Sequence, residues 1–123
     1  MQDHPNAAAV LDIAIAHLRD DVLGKLEGRD RFDMRVTIGA LQLVSRELTL
    51  APAADAAEQG RLEALLGRSG SLEELNREFC ARIANGAMDL ATPGLAEHLH
   101  ATALAKLAVD QPSYSSYRRA TET

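Results

Sequence analysis

Residues 31–50, RFDMRVTIGALQLVSRELTL, constrain the fold more than any other stretch. At about 100° per residue, the α-helical step, Phe32, Val36, Ala40 and Leu43 share one face, and Met34, Leu41, Val44 and Leu48 carry it further round the cylinder. Arg35, Gln42, Ser45, Arg46 and Thr49 crowd the remaining arc, with Ile38 as the apolar exception among them. A surface helix ordinarily shows an apolar stripe of about 100° or a little more. This arc is far wider, so the spacing predicts a central helix covered on at least two sides. Two carboxylates interrupt it. Asp33 lies in the first turn, where the helix dipole favours an anion, whereas Glu47 lies near the other end, where it does not.

The rest of the chain agrees with an all-α architecture. Of the 123 residues, 46% are hydrophobic but only 3% aromatic, so the apolar content is mostly Ala, Leu, Ile and Val. Ala and Leu are strong helix formers, and few runs are β-branched enough to read as strands. The length suits a single domain, 1–123, with 1–5 and 118–123 expected to fray. A net charge of −5 argues against nucleic acid and against anionic lipid as partners. One cysteine, Cys80, excludes an intrachain disulfide and fits a reducing compartment. No run reaches the roughly 18 apolar residues of a membrane span, and the first ten residues lack the basic start of a secretory signal. A soluble cytoplasmic protein, bacterial in style, is the expectation.

Taken in order, the chain reads as about five helices, mainly antiparallel. Asn6 can cap a helix reaching about residue 27, whose stripe is Leu11, Ile15, Leu18, Val22 and Leu26. Gly28 is its expected C-cap. After the central helix, Pro52 suits the first turn of a third helix running to about residue 66, with apolar contacts late, at Leu62, Leu65 and Leu66. Ser71 and Glu74 form a capping box for a fourth helix, which turns Leu72, Leu75, Phe79, Cys80 and Ile83 inward and stops at Asn85-Gly86. Thr92-Pro93 starts a fifth, which ends before Gln111-Pro112.

Motifs for chemistry are sparse. Lys106 falls on the same face of the fifth helix as Leu95, Leu99, Thr102 and Val109, and so interrupts that stripe as Glu47 interrupts the central one. Buried charges occur in pairs, because an isolated one costs several kcal/mol. Glu47 and Lys106, with Asp110 and Arg35 as further partners, are therefore the expected buried ion pair or internal polar pocket; the plainer expectation is that each side chain snorkels to solvent. Glu97 and His100 have the i,i+3 spacing of one half of a di-metal carboxylate site, but a full site needs a second such motif and the chain has none. His98 and His100, about 200° apart on a helix, cannot chelate together. Cys80 lacks a histidine partner and reads as a small buried hydrophobe. No phosphate-binding glycine loop or nucleophile elbow is present. Neither a metal nor a cofactor is expected. Tyr114, Tyr117, Arg118 and Arg119 form a candidate partner surface near the end of the chain.

Several segments together carry a resemblance. They are Leu26-Glu27-Gly28-Arg29 before Arg31-Phe32, Arg35-Val36, Arg46-Glu47-Leu48, Leu75-Asn76, Phe79 to Ile83, and Leu104 to Pro112 followed by Tyr114 and Tyr117. In order and spacing these resemble a bacterial domain-of-unknown-function family, number 6285, over nearly the whole chain. The resemblance implies no catalytic residue. It implies genes beside an aminoglycoside-phosphotransferase-like kinase and an acyl-CoA dehydrogenase, and hence an accessory role in acyl-CoA metabolism. The leading expectation is a non-catalytic accessory or protein-interaction module working with such a kinase. The alternative is a small-molecule binder or enzyme using the pocket around Glu47 and Lys106. A homodimer is a third possibility.

Overall fold

The computed structural model describes residues 4–122, and among these every regular element is helical. Five α-helices follow in order: α1 (Ala7–His17), α2 (Gly28–Leu66), α3 (Leu72–Ala84), α4 (Leu95–Asp110) and α5 (Ser115–Thr121). The chain divides into two compact units, Met1–Leu50 and Ala51–Thr123, and α2 belongs in part to each. No helix among the described residues is long and apolar enough to cross a membrane.

In the first unit, Asn6 caps α1 by accepting from the Ala9 amide at 2.9 Å, as its side chain predicts. The helix then widens into a π turn, Leu18–Val22, and tightens into a 3₁₀ turn, Leu23–Lys25. The α-helical first element is therefore shorter than the expected reach to residue 27. Gly28, at φ +59°, opens α2 rather than closing α1. The stripe Leu11, Ile15, Leu18, Val22 and Leu26 is buried or half-buried, as its spacing predicts.

The expected face of residues 31–50 is corrected. Phe32 and Val36 are 58% and 57% exposed, and Val44, Leu48 and Leu50 are also open to solvent. Ile38, the exception in the polar arc, is the buried residue, 6% exposed. Ser45 donates to the Asp12 carboxylate, so α1 lies against the arc that carries Ile38, Gln42 and Ser45. A wide apolar arc cannot say which side meets a neighbour. Here the neighbour satisfies polar groups of the narrower arc, and much of the wide apolar face is left exposed, although Met34, Leu41 and Leu43 are half-buried.

The second correction concerns Pro52. The expected break between a helix ending near Leu50 and another starting at Pro52 is absent: α2 runs for 39 residues with Pro52 inside it. Proline removes one i→i−4 hydrogen bond and crowds the preceding turn, at about 3 kcal/mol. The flanking residues, Ala51, Ala53, Ala54, Ala56 and Ala57, are the best helix formers and carry the helix through.

The second unit holds the larger core: Leu62 and Leu66 of α2, Leu75 and Phe79 of α3, Met88, and Leu95 of α4. Gly67, at φ +69°, ends α2. Ser71 and Glu74 make the expected reciprocal capping box at the start of α3. Gln59 donates to the Gly70 carbonyl at 2.8 Å and ties α2 to the intervening turn. After α3 stops, the Met88 amide bonds back to the Arg82 carbonyl at 3.0 Å, which tucks Met88 into the core. Two inward assignments on α3 are corrected, since Cys80 and Ile83 are exposed on its outer side. Helix α4 starts two residues later than Thr92-Pro93 suggests. Gly94 is its N-cap, and Thr92 instead accepts from the Asp89 amide, closing the preceding turn. Helix α4 ends at Asp110, as the Gln111-Pro112 pair predicts. The C-terminal stretch coils into α5, so residues 118–121 are helical; residues 1–3 and 123, part of the ends expected to fray, lie outside the described residues.

Candidate functional site

The strongest constellation lies in the second unit, where the last turns of α2 meet the first turns of α4. Leu62 and Leu66 anchor α2 in the core. Arg61, one residue before Leu62, is turned about 100° from that stripe and reaches the edge of the core. Leu95 anchors α4, and His98, one turn on, enters the same face. His98 is 3% exposed and is the one fully buried polar or charged residue among those described. Its ring packs edge-on against Phe79, with centroids 5.1 Å apart and planes at 79°.

Hydrogen bonding defines the state of this histidine. The Arg61 Nε–H donates to His98 Nδ1 at 3.0 Å, and Arg61 Nη2 donates to the Thr102 hydroxyl at 3.3 Å. Because Nδ1 accepts, the neutral ring carries its proton on Nε2. Burial, together with the positive charge of Arg61, holds the imidazole below its ordinary pKa, and the Glu58 carboxylate opposes this only in part. Among the described residues no side-chain nitrogen or oxygen is both fully buried and without a partner.

Beside this pair is an open pocket of about 520 Å³. Arg61, His98 and Glu97 supply its charged and polar lining, and Ala64, Leu65 and Pro93 supply its apolar wall. Gly94 forms part of the rim. Its φ is +87°, and a Cβ there would stand 3.3 Å from Leu65, so both backbone conformation and space call for glycine. No side chain caps the first turn of α4.

A second, more polar pocket lies in the first unit, between Asp12, Ile15 and Arg19 on one side and Gln42, Ser45 and Arg46 on the other. Two of its charges have partners close by: Asp12 accepts from Ser45, and Arg19 pairs with Asp20 at 2.9 Å. The hydrogen bond from Arg19 holds the Asp20 carboxyl below its usual range.

The residues singled out in the sequence lie elsewhere. Glu47, Lys106, Asp110 and Arg35 are all exposed, so the buried setting expected for them is corrected. Glu47 and Arg35 belong to the first unit, Lys106 and Asp110 to the second. The physical reason at Glu47 is the orientation of α2, whose face bearing Val36 and Glu47 is the uncovered one. Tyr114 is exposed at the start of α5 and Tyr117 is half-buried on it; Arg118 pairs with Glu122 at 3.4 Å and Arg119 donates to Ser116 at 2.9 Å. Glu97 lines the pocket and His100 is exposed. Among the described residues no group of three or more His, Cys, Asp or Glu side chains could hold a metal ion.

Sequence reasoning passed over Arg61 and weighed His98 only as a metal ligand beside His100. A signal for His98 was present: it follows Leu95 by three residues and precedes Thr102 by four, the spacing of one helical face. For Arg61 there was none, because its partner is 37 positions away. Comparison with curated proteins and with solved structures finds no match for this chain. A family model described as "Domain of unknown function (DUF6285)" matches residues 24–114, a span that contains both Arg61 and His98. The chain belongs to that family of unknown function.

Proposed function

We propose that this protein is a non-catalytic accessory module that docks a phosphotransferase-like kinase through the uncovered face of α2. The carrying observation is the set of large apolar side chains, Phe32, Val36, Val44, Leu48 and Leu50, left open to solvent along that helix. Repeated apolar exposure along one helix favours association with a partner surface. Scattered single residues would not, but these recur within five turns of one element. The identity of the partner rests on the gene context that the family resemblance implies, as does the wider setting in acyl-CoA metabolism. The alternative of a ligand pocket at Glu47 and Lys106 draws no support from their exposure.

The test is size-exclusion chromatography with light scattering on the purified chain, alone and mixed with the phosphotransferase-like kinase encoded beside it. A stoichiometric complex is expected, and Phe32→Asp with Val36→Asp should abolish it while helix content is retained. A kinase that never co-elutes, or a doubly substituted chain that co-elutes equally well, overturns the proposal. A mass of two chains in the absence of kinase would assign the face to self-association instead.

A further inference from the structure

Arg61 is half-buried beside a pocket and has no carboxylate within ion-pair distance among the described residues. Its guanidinium has five N–H groups in a fixed planar fork. The edge formed by Nε and Nη2 is spent on His98 and Thr102. Those two bonds orient the plane. They leave the end-on edge, Nη1 with the second N–H of Nη2, without a hydrogen bond among the described residues. Two parallel N–H groups on one edge match the two oxygens of a carboxylate. The neutral His98 beside it keeps its Nε2–H as a further donor and adds no competing charge.

We propose that the Arg61–His98 pocket binds a small monocarboxylate with a compact apolar body, its oxygens on the open edge of Arg61 and its body against Ala64, Leu65 and Pro93. A dianionic phosphate fits less well. One guanidinium supplies a single positive charge, and the exposed Glu97 carboxylate lines the same pocket. A singly charged ligand meets half the repulsion from Glu97 and gains from the apolar wall, which a bare phosphate cannot use. The uncapped first turn of α4 adds a favourable dipole to the same pocket. This site is independent of the face on α2 assigned to a protein partner.

The test is a titration of the isotopically labelled full chain with sodium isobutyrate, with isobutyramide as the neutral isostere, and with inorganic phosphate, all at constant ionic strength. Isobutyrate should produce saturable amide shifts centred on Leu65, Ala96 and Glu97, and isobutyramide should produce none. Arg61→Gln removes the charge and should weaken isobutyrate at least about tenfold, with amide positions outside the pocket unchanged. Should that variant lose its fold, Glu97→Gln, at an exposed position, keeps the test open: it should tighten isobutyrate about twofold or more. Equal shifts with isobutyramide overturn the proposal, because the site would then be an apolar slot. Saturation by phosphate without saturation by isobutyrate overturns it as well, as do isobutyrate shifts that are unsaturable or spread over the surface.

Discussion

His98 is a neutral ring held between an aromatic edge and a guanidinium, and this fixes how it responds to acid. Its folded pKa is lowered from 6.5, first by burial and then by Arg61. As pH falls, the unfolded chain therefore takes up the proton first, and stability declines. The contribution of His98 is complete above about pH 6.5 and is lost as pH falls through the unfolded value toward the folded one. Urea unfolding of the wild type and His98→Asn between pH 7.5 and 5.5 measures this directly. The asparagine can still accept from Arg61, and its stability should fall less steeply over that window; parallel curves would refute the assignment. At this scale the short-range signals were legible. Asn6, Ser71 with Glu74, and Asn85-Gly86 each act through partners within four residues. The burial of His98 had one legible sign, its helical spacing with Leu95 and Thr102, but its partners Arg61 and Phe79 were not legible, because they neighbour it only in the folded chain.

At the scale of elements, α2 shows how local signals compete. Pro52 reads as a helix start, since proline is well tolerated in a first turn. The alanines on both sides outweigh it, and one helix forms where two were expected. The proline still removes one backbone hydrogen bond from the interior. Pro52→Ala should therefore stabilise the chain by about 1–3 kcal/mol, read as an increased urea midpoint with unchanged slope. A neutral or destabilising result would show that the residue is accommodated without cost. The orientation of α2 is the second lesson. Period alone located an amphipathic helix at residues 31–50, but the polar arc holding Gln42 and Ser45 is the one that faces α1. Hydrophobic patterning reports which residues can be buried. It does not report which face a neighbour occupies when both faces hold usable groups.

For the whole molecule, the all-α class was legible from composition, since Ala and Leu dominate and aromatics are few. The uneven distribution of buried residues was not. Six of the buried apolar side chains form one cluster within Ala51–Thr123, whereas among the described residues of Met1–Leu50 only Ile15 and Ile38 are buried. Local opening is cheapest where few apolar contacts must be broken. Native-state hydrogen exchange should thus find its slowest amides around Leu62, Leu75 and Phe79, and markedly faster exchange through α1 and the π turn that follows it. Uniform protection across both units would contradict this reading.

The outward position of Cys80 has a practical consequence. It is the only cysteine in the chain, and it stands exposed on α3 rather than in the core. A maleimide dye will therefore attach at one known position without any substitution, in the unit that contains the Arg61–His98 pocket. The same thiol can also be oxidised by air to a disulfide between two chains. That covalent pair would pass for a genuine dimer in a mass measurement, so samples kept under reductant are the ones whose size can be interpreted.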